Sequence, residues 1–439
     1  MKIKTFWLPA ILSLMLAATV FAESKTKEEL AQQAISNDSA VSLEAIKNLR
    51  ILGKDGLDTL FQTYSAEIAK FSQTGQSTDD WKRIAYALDS VAMQKDVYAS
   101  RLFWFTDLGE AKKEANAKNK PILSLRLLGN LNEEFSCANS RFFRALLYSN
   151  SEISKYLREN YVLHWKSVRP APKVTIDFGD GRKIERTLTG NSIHYILDEN
   201  GAIIDALPGL YSPSGFLKYL TAGFQINKTI DSVPANQKEI VALRYRKTMF
   251  DDIKTKRDKS VAAAKVTLTE PKGGTDALDV APRAVTKMST ERTILLDING
   301  GSMRFSPDIS DDFARFDQNI NLEDWKKLAK LYAGATKFDD TSVEFIKRQN
   351  AKTDLTDPQF TSLLTNLAGY VALDTTRNDF LFHTKLYELL NQQRAKPLEL
   401  ESFNSQVYAE LFKTPDSDKW LGLYNTDVYT ALDGNGIIK

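Results

Sequence analysis

The stretch that decides the fold is "KPILSLRLLGNLNEEFSCANSRFFRALLYS", residues 120–149. It opens with a short apolar run typical of a buried strand and passes through a long turn into apolar residues at helical spacing. Another helical pattern follows, and then a second strand pattern, "YVLHWKSV", at residues 161–168. Because parallel neighbours need a crossover between them, this order predicts a βαβ unit with two parallel strands.

Two later segments alternate apolar and polar residues on either side of a glycine turn, which predicts antiparallel hairpins. The first hairpin, residues 173–190, has "DG" at its turn, and the second, residues 192–209, has "NG". A closing helix is predicted next, with Ser212 as its cap and Pro213 at its first position. The middle of the chain is therefore expected to be an α/β domain.

Helical patterns lie on both sides of this domain, with apolar residues three and four apart. The N-terminal group is similar to HEAT-like helical hairpins. The predicted fold class is therefore α/β plus all-α. The predicted order is signal peptide 1–22, helical module 23–100, α/β domain 101–225, helix and linker 226–286, and C-terminal helical domain 287–439.

The order of elements and the residues themselves resemble the thioredoxin-like superfamily over about residues 101–225. The resemblance rests on "KNKPILSLRLL" before the active-site turn, "SCANSRFF" at that turn, "SEISKYLRENYVLHWKSV" as helix and strand, and "TGNSIHYILDENG" entering the last hairpin. It implies that Cys137 occupies the position of the nucleophilic cysteine of a C-x-x-C motif. It also implies that Ser140 replaces the resolving cysteine and that Ser192 replaces the cis-proline.

These replacements limit the chemistry that the resemblance implies. A dithiol enzyme forms a mixed disulfide that its second thiol resolves, so a chain with Ser140 cannot complete the cycle alone. A monothiol role remains, in which Cys137 forms a mixed disulfide that an outside thiol clears. A position at a helix start favours the thiolate, and we expect the Ser140 hydroxyl to donate a hydrogen bond to the sulfur.

Two alternatives stand beside the monothiol role. In the first, Cys137 is a small buried hydrophobe, and the protein is a non-catalytic interaction scaffold whose loop 129–140 recognises a partner. In the second, less favoured alternative, Cys137 with His164 and His194 binds zinc or a soft metal. No organic cofactor is expected.

The N-terminal sequence "MKIKTFWLPAILSLMLAATVFA" combines lysines, an apolar run and small residues, which is typical of a secretory signal peptide. We therefore expect the protein to be periplasmic or secreted. Cys137 is the single cysteine, so no internal disulfide forms. No later segment approaches the ~18 apolar residues of a membrane span, so none is expected.

Net charge bears on the expected partner. Removal of Lys2 and Lys4 with the signal brings the formal net charge from +2 to 0. Nucleic acids are bound through clustered Lys and Arg that displace counterions. A neutral mature chain argues against nucleic acid, and we expect the partner to be another protein.

Overall fold

A computed structural model describes residues 25–187, 190–267, 320, 322–351, 355–392, 398–412, 414–417 and 419–420. The predicted signal peptide, the Pro/Gly-rich linker at residues 268–287 and the chain beyond residue 420 lie outside these ranges. Within them, the predicted mixture of α/β and helical structure is confirmed, because helices surround a five-stranded sheet.

The N-terminal part is helical and has its own core. The side-chain oxygens of Thr26, Asp38 and Thr78 accept hydrogen bonds from first-turn N–H groups and so open three of its helices. The apolar faces of the helices share a core that includes Leu49 and Leu60. The elements are α1 Lys27–Gln33, α2 Ser39–Ile51, α3 Lys54–Thr63, α4 Ser65–Thr74, α5 Asp79–Ala92 and a 3₁₀ turn Val97–Ala99.

The α/β part follows the predicted order of strands and helices. Its elements are β1 Trp104–Phe105, α6 Leu108–Lys118, β2 Ile122–Leu128, α7 Ala138–Phe142, a π-helical segment Phe143–Tyr148, α8 Ser151–Asn160, β3 Val162–Arg169, β4 Lys173–Asp177, β5 Lys183–Thr187, β6 Ser192–Leu197, β7 Ile203–Pro208 and α9 Pro213–Asp231. The predicted parallel pair is β2 with β3, and both predicted hairpins form. Helix α9 begins with Ser212 as its cap, as predicted.

The main sheet has the strand order β1-β3-β2-β6-β7. Strands β1, β3 and β2 run parallel, β6 is antiparallel to β2, and β7 is antiparallel to β6. The hairpin β4–β5 forms a separate two-stranded sheet. Strand β2, with a neighbour on each edge, is buried along its whole length.

Beyond α9, the described chain is helical, as the sequence predicts. Its elements are α10 Ala235–Ala263, α11 Leu322–Lys330, a 3₁₀ turn Ala333–Ala335, α12 Asp340–Gln349, α13 Asp357–Arg377, a π-helical segment Asn378–His383, α14 Thr384–Asn391, α15 Leu400–Gln406 and a π-helical segment Val407–Leu411. One hydrophobic core runs from Leu102 in the α/β part to Phe412. None of the described helices is long and apolar enough to cross a membrane.

Strand pairing sorts the sheet's side chains into two faces, because directly paired residues point to the same side. Leu125 pairs with His194, and Ser192 lies on the same side two residues earlier. Tyr148, at the end of the π-helical segment after α7, hydrogen-bonds to His194. The side of Leu125, Ser192 and His194 is therefore covered by α7 and its continuation, and we call it the α7 face.

The opposite face is covered from the C-terminal part of the chain. Ser124 pairs with Tyr195 on this side, and Arg126 follows two residues later. The ring of Phe403 in α15 packs against Tyr195 with 6.2 Å between centroids. We call the side of Ser124, Arg126 and Tyr195 the α15 face.

Arg126 on the α15 face is a fully buried cation in the central strand. Its guanidinium donates to Ser124 Oγ at 2.7 Å and to Glu401 Oε1 at 2.8 Å. Lys166 on β3 lies 3.2 Å from the other carboxylate oxygen of Glu401. Because a buried guanidinium needs a counter-charge, this pair ties α15 to the middle of the sheet.

Replacing Glu401 by Gln should lower the free energy of unfolding by about 1–2 kcal/mol, because the buried guanidinium of Arg126 loses its counter-charge. Urea unfolding followed by circular dichroism measures the change. Glu410→Gln is the matched control: this acid lies exposed on the next turns and accepts a hydrogen bond from Gln406. Equal stabilities of the two variants would contradict the role assigned to the Arg126–Glu401 pair.

A buried polar network joins the C-terminal helices to β7, an edge strand of the main sheet. Asp205 on β7 has no exposed surface, and its carboxylate accepts hydrogen bonds from Tyr245 at 2.7 Å and Tyr387 at 3.1 Å. Nε2 of His383 lies 3.0 Å from its second oxygen. Because unpaired buried carboxylates are costly, Asp205 holds α10, α14 and the π-helical segment before α14 in place.

Asp205→Asn should destabilise the fold by about 3 kcal/mol, because an amide accepts on one side only and its NH₂ group then faces donors. Thermal and urea unfolding measure this loss. Asp252→Asn, at an exposed acid on α10, serves as the control and should change stability by no more than about 0.5 kcal/mol. An Asp205→Asn protein as stable as the parent would overturn the role given to the network.

Candidate functional site

Cys137 lies where the central strand leads into α7. Its backbone N–H donates to the carbonyl of Leu128, the last residue of β2, at 3.0 Å. Gly129 permits this turn, since its φ of +73° is in the left-handed region and a Cβ there would lie 3.1 Å from the Cα of Ser136. The turn makes Cys137 the N-cap residue of α7, the helix-start position that the sequence predicts.

The Cys137 thiol is enclosed. Its side chain has no exposed surface. Burial raises the pKa of Tyr148 well above its usual range, and the nearby Cys137 adds to the effect. Burial and then Cys137 raise the pKa of Tyr408 in the same way. The thiol therefore lies close to Tyr148 on the α7 face and to Tyr408, which follows α15.

Ser140, which the resemblance predicts at the position of a resolving cysteine, makes its hydrogen bonds within its own helix turn. Its Oγ lies 2.6 Å from the hydroxyl of Ser136 and 2.8 Å from the carbonyl oxygen of Cys137. A hydroxyl has one proton to donate, and both of these acceptors are oxygens. The expected hydrogen bond from Ser140 to the Cys137 sulfur is therefore replaced by bonds to oxygen.

Ser192 begins β6 at the same end of the sheet as Cys137. It pairs with Leu127 near the end of β2, and Asn139 of α7 hydrogen-bonds to the loop before it. Its Oγ is buried and has no hydrogen-bond partner among the described residues. The structure thus brings Cys137, Ser140 and Ser192, the three predicted site residues, to one end of the sheet.

His194 on the α7 face is a buried, neutral histidine. Its Nε2 lies 2.7 Å from the Tyr148 hydroxyl, while Nδ1 has no partner in the described part of the chain. The rings of Phe143 and Phe216 pack against it at centroid distances of 4.5 and 5.0 Å. This apolar setting disfavours the charged ring, and burial lowers the pKa of His194 to about 3.

His164 lies on the opposite side of the sheet. Its Nδ1 is 2.8 Å from Ser124 Oγ, and burial, followed by the charge of Arg126, lowers its pKa to about 3. Since His164 points to the α15 face and His194 to the α7 face, the structure does not bring them together with Cys137 around one metal ion. In the described ranges, no group of three or more His, Cys, Asp or Glu side chains is placed to hold a metal.

Sequence reasoning missed the C-terminal residues that close this end of the sheet. The Tyr408 hydroxyl donates to the carbonyl of Asn191 at 3.2 Å, and Asn191 Nδ2 donates to Thr414 Oγ1 at 3.0 Å. Arg169, at the end of β3, donates to the carbonyl of Thr414. We call the described residues of 398–417, which include Glu401, the C-terminal strap.

Cys137 and His194 are both fully buried in this conformation. General acid–base catalysis at neutral pH requires a group that titrates nearby, and the pKa of His194 lies far below. Thiol exchange requires access to the sulfur, and the sulfur of Cys137 has none. Two hydroxyls and an enclosed thiol therefore lie at one end of the sheet, and a neutral imidazole lies two residues farther along β6.

Comparison with known proteins gives no relative: no family model, no curated protein and no solved structure matches the chain.

The buried state of His194 predicts a loss of stability in acid. Histidine has a pKa near 6.5 in an unfolded chain, whereas burial holds His194 at about 3. Below the unfolded pKa, the unfolded chain binds a proton that the folded chain does not, so stability falls as the pH drops from about 6.5 towards 3. His194→Gln removes this titration and keeps a hydrogen-bond partner for Tyr148.

We expect the stability lost between about pH 7 and about pH 5 to be smaller by about 2 kcal/mol in His194→Gln than in the parent. Urea unfolding at both pH values gives the two losses. Parent and variant losing the same stability would show that His194 is not a buried neutral group.

Proposed function

We propose that the protein is an exported, non-catalytic interaction protein built on a thioredoxin-like domain at residues 101–225. The strand order β1-β3-β2-β6-β7, with β6 antiparallel to β2, supports the thioredoxin-like assignment. The packed helices before residue 100 support a HEAT-like module beside it. Export is supported by the signal-like sequence at residues 1–22.

The single observation that carries the non-catalytic role is the complete burial of Cys137. A nucleophilic thiol must reach a substrate and must be stabilised as thiolate. At this site the thiol is surrounded by residues of the core, and the hydroxyl of Ser140 is bonded to oxygens instead of the sulfur. Cys137 therefore acts as a packing residue at a position that is reactive in the superfamily.

The loop 129–140, proposed for partner recognition, presents a small acidic surface. Glu133 and Glu134 are its exposed residues, while Ser136 and Cys137 are buried. Within the loop, Asn130 donates a hydrogen bond to Glu133 at 2.7 Å and limits the freedom of the loop. A protein partner with a basic contact surface matches this loop.

The native protein should react with a thiol reagent such as Ellman's reagent only when it unfolds. The labelling rate of Cys137 should fall below that of an exposed thiol by a factor close to the equilibrium constant of global unfolding. Ser77→Cys, at an exposed position between α4 and α5, supplies the exposed thiol in the same chain. Fast stoichiometric labelling of Cys137 in the folded protein would contradict the non-catalytic proposal.

Loss of function in cells provides the second arm of the test. Cys137→Ala should keep the phenotype of the parent, whereas Glu133→Lys combined with Glu134→Lys should lose it, because partner recognition depends on the acidic loop. Immunoblotting confirms that both variants accumulate to the parental level. A Cys137→Ala protein that accumulates normally but has no function would favour thiol chemistry.

A gated monothiol is the second candidate function, and one observation favours it. Asn191 Oδ1, Ser192 Oγ and His194 Nδ1 are all buried without partners among the described residues. Buried polar atoms without partners are uncommon in native structures, and these three lie on consecutive or near-consecutive residues. In this candidate, release of the C-terminal strap exposes the Cys137 thiol, which loses its proton to water, attacks a partner disulfide, forms a mixed disulfide and expels the partner's other sulfur as thiolate. An outside thiol then releases Cys137.

Glu401→Gln separates the two candidates, because it weakens the strap. For a packing residue, the labelling rate of Cys137 rises only by the factor by which global unfolding becomes easier. For a gated thiol, labelling in the parent is already faster than global unfolding permits, and Glu401→Gln raises it further by about tenfold for each 1.4 kcal/mol of strap stability. Parallel urea unfolding of each variant gives the equilibrium constant of global unfolding for this comparison.

A further inference from the structure

The β4–β5 hairpin stands apart from the main sheet with apolar side chains open to solvent. Ile176 and Ile184 form a directly opposed pair and are 38% and 37% exposed, and Phe178 at the tip is 51% exposed. An isolated two-stranded hairpin is only marginally stable in water, whereas three or more strands are self-sustaining. Within the described ranges, the main sheet does not cover this apolar side of the hairpin.

The outer edge of β5 presents free backbone groups. At the hairpin tip, the Phe178 N–H donates to the Arg182 carbonyl at 3.1 Å. This bond shows which pairs of the β4–β5 ladder are hydrogen-bonded, because bonded and non-bonded pairs alternate along an antiparallel ladder. Ile184 therefore turns its N–H and C=O towards β4, while Lys183 and Glu185 turn theirs outward. Their N–H groups donate to no described residue, and the Glu185 carbonyl accepts from the side chain of Arg186 at 3.0 Å. An exposed edge of this kind is a template for another strand.

We propose that this edge pairs with a second copy of the same chain, about a two-fold axis through Ile184. In that register, Lys183 lies opposite Glu185 of the second copy, and Glu185 lies opposite Lys183. One antiparallel pairing thus makes two opposite-charge contacts, as an isologous interface requires. Lys183 and Glu185 are also the residues whose backbone groups face outward, so they form the bonded pairs of the new ladder.

Charge selects this register over its neighbour. An axis through Glu185 would set two glutamates directly opposite each other and would leave Lys183 facing Thr187, without charge compensation. The axis through Ile184 does bring Arg182 opposite Arg186 at the ends of the pairing. The charge of Arg182 is already balanced, because its guanidinium lies 2.7 Å from Asp180.

The pairing also completes both faces of the resulting four-stranded sheet. On one face, Ile176 and Ile184 of each copy form a continuous row of apolar side chains. On the other, Asp177 and Lys183 are already in contact at 2.9 Å, and Thr175 already bonds to Glu185 at 3.3 Å. Pairing joins these into two rows, in each of which Lys183 lies between two carboxylates, Asp177 of its own copy and Glu185 of the other. This inference is independent of any role for Cys137.

A cysteine cross-link tests the two-fold axis directly. At a non-bonded pair on the axis, the two Ile184 Cα atoms would lie about 4.5 Å apart, within the range for a disulfide. Ile184→Cys in the full chain should therefore form a covalent dimer quickly on mild oxidation, and peptide mapping should locate the bond at residue 184. Ile176→Cys is the matched control, equally exposed but three strand spacings, about 14 Å, from its copy.

Charge reversal tests the same interface without a new thiol. Sedimentation analysis of the full chain over a wide concentration range should show a monomer–dimer equilibrium. Lys183→Glu should weaken the dimer by about tenfold or more, because two glutamates then face each other at both contacts. The swap Lys183→Glu with Glu185→Lys restores both pairs and should restore the dimer.

Three results would overturn the inference. The first is a parent chain that stays monomeric at every concentration. The second is a dimer that Lys183→Glu leaves unchanged. The third is equal cross-linking of Ile184→Cys and Ile176→Cys, which would indicate random collision. A monomer whose hairpin accepts only a strand from another protein falls under the first result.

Discussion

The packing of the rest of the fold depends on one guanidinium, which lies in the wholly buried central strand. Arg126 cannot lie between two sheet neighbours without a counter-charge, and its counter-charge, Glu401, comes from α15. The described connection between β3 and β6 contains a hairpin and no helix, so it does not cover the sheet beside Arg126. Helix α15 therefore supplies both the missing charge and the missing layer, and the α/β part and the C-terminal helices share one core.

The local elements could be predicted because their signals are local. Short apolar runs identify β2 and β3, and the glycine turns identify both hairpins. The assignment of helices to sheet faces could not be predicted, because it depends on contacts between distant parts of the chain. Arg126 and Asp205, each a charge inside an apolar strand pattern, indicate that a buried partner exists. They do not indicate that the partners are Glu401 and His383.

The candidate site, too, could be predicted from the sequence only in part. Superfamily resemblance identified Cys137, Ser140 and Ser192, which do meet at one end of the sheet. It could not show that the thiol is enclosed, because residues of the C-terminal strap contribute to the enclosure. The opposite orientations of His164 and His194 follow from strand parity, but only once the register of β2 with both neighbours is known. Register depends on the packed sheet and is not carried by either strand alone.

The Arg126–Glu401 contact spans 275 positions of the sequence, which has a consequence for the order of folding. A growing chain presents β2 long before α15 has been made. Contacts between such distant residues must overcome a large loop-closure entropy before they stabilise anything, and folds rich in them form slowly. A nascent or truncated chain that ends before the strap would leave the α15 face of the sheet uncovered and Arg126 without its counter-charge. Such a chain would be a natural target for chaperones and proteases. Because α15 comes so late in the sequence, the fold can be completed only after nearly all of the described chain has been synthesised.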